Sequence, residues 1–240
     1  MKNKISCKTC STVNCFIREN LSAEWIDKVD TAKQQLFYEN GQYIFKQGWP
    51  VEGMYFIMYG NVKVLTTGFK GNDQIVRLAT DGHILGHRGL GNEVYPVSAK
   101  VIKDTLVCFV DNVTLSKSFI HNPKFPYALM MFYSRELRKM ELRMMYLGHM
   151  NVREKIAEAL LYINVIFGTN TDDGTLNTDS FRQVIAKLSA TNTDQVTKQI
   201  KDFENEKLVL RIRRRIKLIN TNGLEKIVHH FGTNELLKQH

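Results

Sequence analysis

The chain has 240 residues, 43% of them hydrophobic and 24% charged, which is ordinary globular usage and excludes collagen-like, disordered and membrane-spanning classes. At about 120 residues per domain, the length suits two folded units, each with its own apolar core. Thirty-three Lys and Arg against 24 Asp and Glu leave a net charge of +9, so a polyanion is an expected partner, because basic side chains gain affinity by releasing counterions from phosphates.

From Met1 to Arg18, Lys, Asn, Cys and Thr alternate without an apolar run. That predicts no secretory signal, a cytoplasmic location and reduced thiols. The four cysteines, Cys7, Cys10, Cys15 and Cys108, then argue for metal or redox chemistry before disulfides. From Leu36 to Val110 come short β-branched or aromatic runs: Tyr43 to Phe45, Tyr55 to Ile57, Val62 to Leu65, Ile75 to Leu78 and Leu106 to Val110. Turn signals at Asn40-Gly41, Gly48, Gly60-Asn61, Gly71-Asn72 and Asp81-Gly82 separate them, so this stretch predicts a small all-β barrel or roll.

Beyond Tyr127 the period changes. Met130, Tyr133, Leu137, Met140, Met144 and Leu147 alternate steps of three and four, the seam of a helix that pairs with a copy of itself. The helix is expected near Phe125 to Met150, with Arg135, Arg138, Lys139 and Arg143 on its flanks; the alternative is that the stripe packs on the barrel. A second helix is predicted from Val152 to Phe167. Its apolar run, Ala157 to Phe167, is broken by Glu158 and Asn164 and is too short to span a bilayer.

After a polar loop from Gly168 to Gly174, Asp179 to Leu188 reads as a helix, Ser189 to Asn192 as a tight turn, and Thr193 to Glu206 as a second helix capped by Asn192 and Gln195. Leu208 to Ile219 alternates as a two-stranded wing turned near Arg213 to Arg215. Lys207, Arg211, Arg213, Arg214, Arg215 and Lys217 lie within eleven positions that hold no acid. Helix, turn, helix and basic hairpin make a winged helix-turn-helix, a nucleic-acid module.

Two motifs carry a family resemblance. Gly41-x3-Phe45-x2-Gly48 followed by Tyr55-x4-Gly60-x-Val62 resembles the cyclic-nucleotide-binding-type roll of CRP/FNR bacterial transcription regulators. Arg182-Gln183-Val184-Ile185-Ala186 through Asp194-Gln195-Val196-Thr197-Lys198 resembles that family's helix-turn-helix. The resemblance implies an α+β chain: a cysteine-containing arm at 1–20, a sensory β-roll (double-stranded β-helix) at 21–124, a dimerisation helix at 125–150 and the winged helix-turn-helix at 151–240. It also implies a homodimer on a pseudo-palindromic operator in double-stranded DNA, with RNA polymerase as a further partner.

Base reading would fall on Asp194, Thr197 and Lys198, with Thr193 at the helix start, and phosphate contacts on Arg213, Arg214 and Arg215. Two departures bear on sequence preference: Asp stands one methylene short of the family's Glu, and Lys lacks the forked contact that Arg makes to guanine.

Family members that bind cyclic AMP carry Gly-Glu-Leu and, about ten residues on, Arg-Ser or Arg-Thr, which hold the ribose and the phosphate. Here the stretches read Gly86-His87-Arg88-Gly89-Leu90 and Tyr95-Pro96-Val97-Ser98-Ala99. Both charged groups are missing, so no cyclic nucleotide is expected. The cysteine layout is similar to that of the oxygen-sensing FNR branch, in which three N-terminal cysteines and one distant cysteine hold a [4Fe-4S] cluster labile to oxygen or nitric oxide. The last N-terminal gap is one residue shorter here, which moves a ligand by about 3 Å.

Other readings stand beside that one. The thiols hold zinc, or hold no metal, with Cys108 a small hydrophobe among Leu106, Val107, Phe109 and Val110. The roll takes a small organic effector, or the chain is a protein-interaction module that binds no DNA. His87, His121 and the His229-His230 pair lack metal spacing. With no nucleophile elbow, phosphate-binding glycine loop or paired carboxylates, an enzyme is not expected.

Overall fold

The computed structural model describes residues 4–68, 71–178 and 181–228. The readings placed on Asp179, His229 and His230 lie outside the described residues. The fold is α+β and forms two compact units. The first takes in residues up to Thr67 with Ala79–Glu136, the second Gly68–Leu78 with the residues from Leu137 on.

In the first unit, two short helices, α1 (Phe16–Asn20) and α2 (Ala23–Ala32), lead into an antiparallel roll. Its strands are β1 (Gln34–Tyr38), β2 (Tyr43–Phe45), β3 (Gly53–Thr67), β5 (Ile84–Leu85) and β6 (Ser98–Asp111). The long strand β6 is the spine: Gln35 of β1 and Phe56 of β3 both register on Cys108, β2 runs along its first half, and β5 runs along β3. Buried Ile57, Val62, Val64, Val101 and Val107 come from the two paired long strands and fill the core, as expected of β-branched residues on a half-buried pleat.

One expectation is corrected. The turn predicted at Gly60-Asn61 is an irregularity within the single strand β3, where the register to β6 shifts. Gly60 sits at φ +121, and a Cβ there would come within 2.2 Å of Thr105 Oγ1. Glycine therefore admits a bulge against the neighbouring strand, and the chain continues without reversing.

Asp111 ends β6 and caps α3 (Asn112–His121), accepting the Thr114 amide at 2.9 Å. The long helix α4 runs unbroken from Lys124 to His149.

The second unit is built on α5 (Val152–Phe167), opened by a capping box in which Asn151 and Glu154 satisfy each other's backbone amides. Ile156 to Ile163 is buried throughout; the apolar run expected from Ala157 to Phe167 lies largely in this core helix, with Val165 exposed. The unit also takes in most of β4 (Asp73–Ala79), a strand of the six-stranded sheet, with α6 (Phe181–Leu188), α7 (Thr193–Asn205), the hairpin β7 (Val209–Ile212) and β8 (Arg215–Leu218), and α8 (Thr221–Val228), which packs on α5. Among the described residues no helix is long and apolar enough to cross a membrane.

Candidate functional site

Helix α7 owes its orientation to a two-sided sequence. Val196, Ile200 and Phe203 are buried at helical spacing, while Thr193, Asp194 and Lys198 are exposed and Thr197 is half-buried. Ala190 adopts φ +48 in the turn from α6. Asn192 then caps α7, its Oδ1 accepting the amides of Asp194 at 3.1 Å and Gln195 at 2.9 Å. The Gln195 side chain does not close the expected capping pair; it is hydrogen-bonded to the Thr191 hydroxyl. The capped, positively polarised start of α7 faces solvent.

In front of it opens a groove of about 370 Å³, lined by Arg182, Gln183, Thr193, Asp194, Thr197 and Arg214. A second groove of about 190 Å³ continues past Arg182 and Thr197 to Arg211 and Arg213. Two of the residues expected to contact bases, Asp194 and Thr197, together with Thr193, thus meet two arginines from neighbouring elements, a set suited to base edges and to the phosphates beside them. Arg182 and Gln183 were read in the sequence only as part of a motif.

The hairpin turns at Arg213, which has φ +55, and Ile212 pairs with Arg215. Its charge is partitioned in a way that spacing does not reveal. Arg211 is paired with Glu204 at 3.2 Å and Arg215 with Asp173 at 3.6 Å, whereas among the described residues no ion pair engages Arg213 or Arg214.

The four cysteines are free thiols, and the N-terminal arm carries three of them onto the sheet around the fourth. The arm is fastened at both ends. Asp30 accepts the Ser6 hydroxyl at 2.6 Å and the Cys7 amide at 2.8 Å, and Gln35 exchanges hydrogen bonds with the Ile5 backbone. Arg18 donates to the carbonyls of Cys10 and Thr12, and the Thr12 hydroxyl donates to the Met58 carbonyl at 3.0 Å. Cys10, Cys15 and Cys108 join one hydrophobic cluster with Met58, Phe56 and Ile84.

Lys33, its side chain 1% exposed, puts its ammonium 2.8 Å from Asp30 and donates to Cys7 Sγ at 3.1 Å. Burial pushes both the Cys7 and the Cys108 thiols up, Cys108 to about 11, against the pull of Lys33. The donor set is chemically that of an iron–sulfur or zinc site, four soft thiols with a cation beside them to offset thiolate charge. Their present arrangement is that of packed thiols: among the described residues no three Cys, His, Asp or Glu side chains are disposed to hold a metal ion.

Comparison with known proteins shows what the chain is similar to. Residues 35–121 match the model of the cyclic nucleotide-binding domain. The chain is 27% identical over 166 residues to the transcriptional activator protein Anr of Pseudomonas protegens, a match covering 69% of this chain and 68% of that protein. Among solved structures, FixK2 of Bradyrhizobium japonicum superposes with a TM-score of 0.71 at 21% identity, covering 81% of this chain and 96% of the other. A CRP/FNR-family transcriptional regulator of Thermus thermophilus superposes at 0.66 and 19% identity, covering 82% and 98%; at such identities these two establish the fold.

The chain is similar in sequence to the transcriptional activator Anr and in fold to CRP/FNR-family regulators.

The interior of the roll is occupied by its own aromatics. Phe45 stacks on Tyr95 at 4.2 Å and on Tyr55 at 5.5 Å, Tyr55 meets Phe109 at 4.9 Å, and the Tyr95 hydroxyl donates to the Gly53 carbonyl. The stretch where the family's ribose-binding Glu would stand is a short 3-10 turn, His87–Gly89, opened by Gly86 at φ +79. His87 is buried with Phe132 and Tyr133 edge-on to its ring.

Of the proposed seam residues on α4, Met130, Leu137, Met140 and Met144 are exposed, Met144 by 73%. Tyr133 and Leu147 are half-buried, and the Tyr133 hydroxyl donates to the His87 carbonyl. Tyr127, which the sequence reading left out of the stripe, extends the exposed face toward the start of the helix.

Proposed function

We propose that this chain is a CRP/FNR-family regulator acting as a cytoplasmic homodimer on a pseudo-palindromic operator in double-stranded DNA. The observation that carries the reading is the capped N-terminus of α7 opening on a groove that unites Thr193, Asp194 and Thr197 with Arg182 and Arg214. In the complex α7 enters the major groove, Asp194, Thr197 and Lys198 meet base edges, and Thr193 lies beside a phosphate. Arg213 and Arg214 hold the backbone, with Arg215 joining them when it releases Asp173. The exposed methionines and Leu137 of α4 form the seam between copies, which sets two α7 helices about one helical turn apart. RNA polymerase is the partner at the promoter.

The four thiols are proposed as ligands of a [4Fe-4S] cluster, which when bound supplies an oxygen- or nitric-oxide-labile centre. In this reading Asp30, Lys33 and Arg18 hold the arm that carries Cys7, Cys10 and Cys15, and the Lys33 ammonium offsets thiolate charge. The departure in gap length leaves four donors in place. Iron and labile-sulfide analysis of protein isolated anaerobically tests this part: about four of each per chain supports it, and colourless protein after reconstitution with iron and sulfide refutes it. The DNA part is tested by retardation of promoter fragments, lost in K198A or R213A.

A further inference from the structure

The second unit contains a largely enclosed arginine that none of the contacts above uses. Arg143 projects from the inward face of α4, one residue from the exposed Met144, and its side chain is 11% exposed. Its guanidinium reaches three places at once. One nitrogen donates to the carbonyl of Leu188, the last residue of α6, at 2.9 Å. Another lies 3.6 Å from Glu158 of α5, whose side chain is 7% exposed. The guanidinium carbon stands 5.0 Å over the ring of Tyr162, also on α5.

We propose that Arg143 is the positioning residue that ties the recognition module to the α4 seam, so that the placement of α4 determines the placement of α7. The proposal rests on the reading of this chain as a dimeric DNA-binding regulator and adds how that site is regulated.

Three physical points support it. The C-terminal end of α6 carries a partial negative charge and unpaired carbonyls, so a cation from another helix docks there with direction. Leu188 is fully buried and opens the turn into α7, and Ser189 beside it is fastened to the Lys155 carbonyl of α5 at 3.2 Å. A shift at Leu188 is therefore passed on to the start of α7. Lastly, the junction is under-satisfied: Arg143 Nε and Glu158 Oε1 are buried without hydrogen-bond partners, and Glu158 is held above the usual carboxylate range by burial, with Arg143 opposing it. A purely structural contact gains from full satisfaction, whereas a contact with spare donors and acceptors can exchange partners when α4 moves. The planar fork is what spans α5 and α6 together; a lysine ammonium engages one or the other.

The test uses the full-length protein, R143M and R143K, and an operator selected from randomised duplex by the wild type. Spin labels at Lys201 report the distance between recognition helices across the dimer. The expected result is that both variants melt cooperatively and remain dimers, that the Lys201 distance distribution broadens, and that specific affinity falls by about tenfold or more, the size of an ordinary coupling between sites. Binding to non-operator duplex and its salt slope stay as in the wild type, which loss of folded protein alone would not produce. R143M variants with wild-type operator affinity and an unbroadened distribution overturn the proposal. If R143M does not fold, R143K decides in the same way. A wild type that selects no operator refutes the functional reading itself and is thereby distinguished from failure of the coupling.

Discussion

Lys33 Nζ donates to Cys7 Sγ at 3.1 Å while pairing with Asp30 at 2.8 Å, inside a side-chain site that is 1% exposed. A thiol and a carboxylate thus share one buried cation, and the arm bearing three of the four cysteines is anchored to α2 through it. Burial penalises the Lys33 charge, and the hydrogen bonds to Asp30 and Cys7 outweigh that penalty, so its pKa is raised.

Removing that ammonium releases the arm. K33M is expected to lose about 2 kcal/mol of stability, since a hydrogen-bonded partly buried carboxylate is left without its cation. The clearer readout is local: Cys7 alkylation and proteolysis ahead of Phe16 accelerate in K33M before global unfolding begins. Equal protection of Cys7 in the two proteins would mean that the arm is held by other contacts.

The thiols should differ in reactivity and in pH dependence. Burial pushes Cys108 up to about 11, so at neutral pH it is protonated, and the thiolate is the reacting form. In metal-free protein its alkylation rate is expected to rise about tenfold per pH unit until the pH approaches that value. Half-buried Cys10 and Cys15 react first. Mass spectrometry of protein alkylated across a pH series checks this; early labelling of Cys108 at neutral pH would contradict it.

The wing arginines should not be equivalent. Arg215 already holds Asp173, while Arg213 and Arg214 stand ready for phosphate. R214A is expected to weaken binding to all duplexes alike and to lower the salt slope by about one unit. R215A, whose phosphate contact must first release an ion pair, costs less. Fluorescence anisotropy titrations across a salt series compare them, and a larger effect of R215A would show that the pair does not persist in solution.

The filled roll makes a prediction about effectors. With Phe45, Tyr55, Tyr95 and Phe109 stacked inside, millimolar cyclic AMP is expected to leave the melting temperature unchanged. Phe45→Ala is expected to lose about 3 to 5 kcal/mol as a cavity opens. A saturable thermal shift with cyclic AMP in the wild type would show that the stack yields to a ligand.

Much of this architecture was legible because its faces follow simple periods. Val196, Ile200 and Phe203 mark the inner side of α7 at helical spacing, and glycines at positions 41, 48, 60, 71 and 82 all adopt positive φ where turns were read. Gly60 shows the limit: a glycine in a strand pattern signals either a reversal or a bulge, and only Thr105, some forty residues away, decides which. Helices α1, α2, α3 and α8 were not predicted, since each is short and buries few apolar residues, as with Ile17 of α1 and Trp25 and Val29 of α2. The partition of wing charge depends on Glu204 and Asp173, and the Arg143 junction on Glu158 and Leu188. Such pairings are set by tertiary contact and leave no trace in local spacing.

The central claim is that the exposed face of α7 reads DNA in a dimer. The most direct measurement is operator selection from randomised duplex by the wild type, followed by anisotropy titration of D194A and K198A on the selected sequence and on its single-base variants. The account predicts a two-fold symmetric consensus with half-sites about one helical turn apart. Each substitution should cost about 1 to 3 kcal/mol on the operator and relax preference at one base pair per half-site. A consensus without symmetry, or D194A and K198A proteins with the same preference as the wild type, would contradict it.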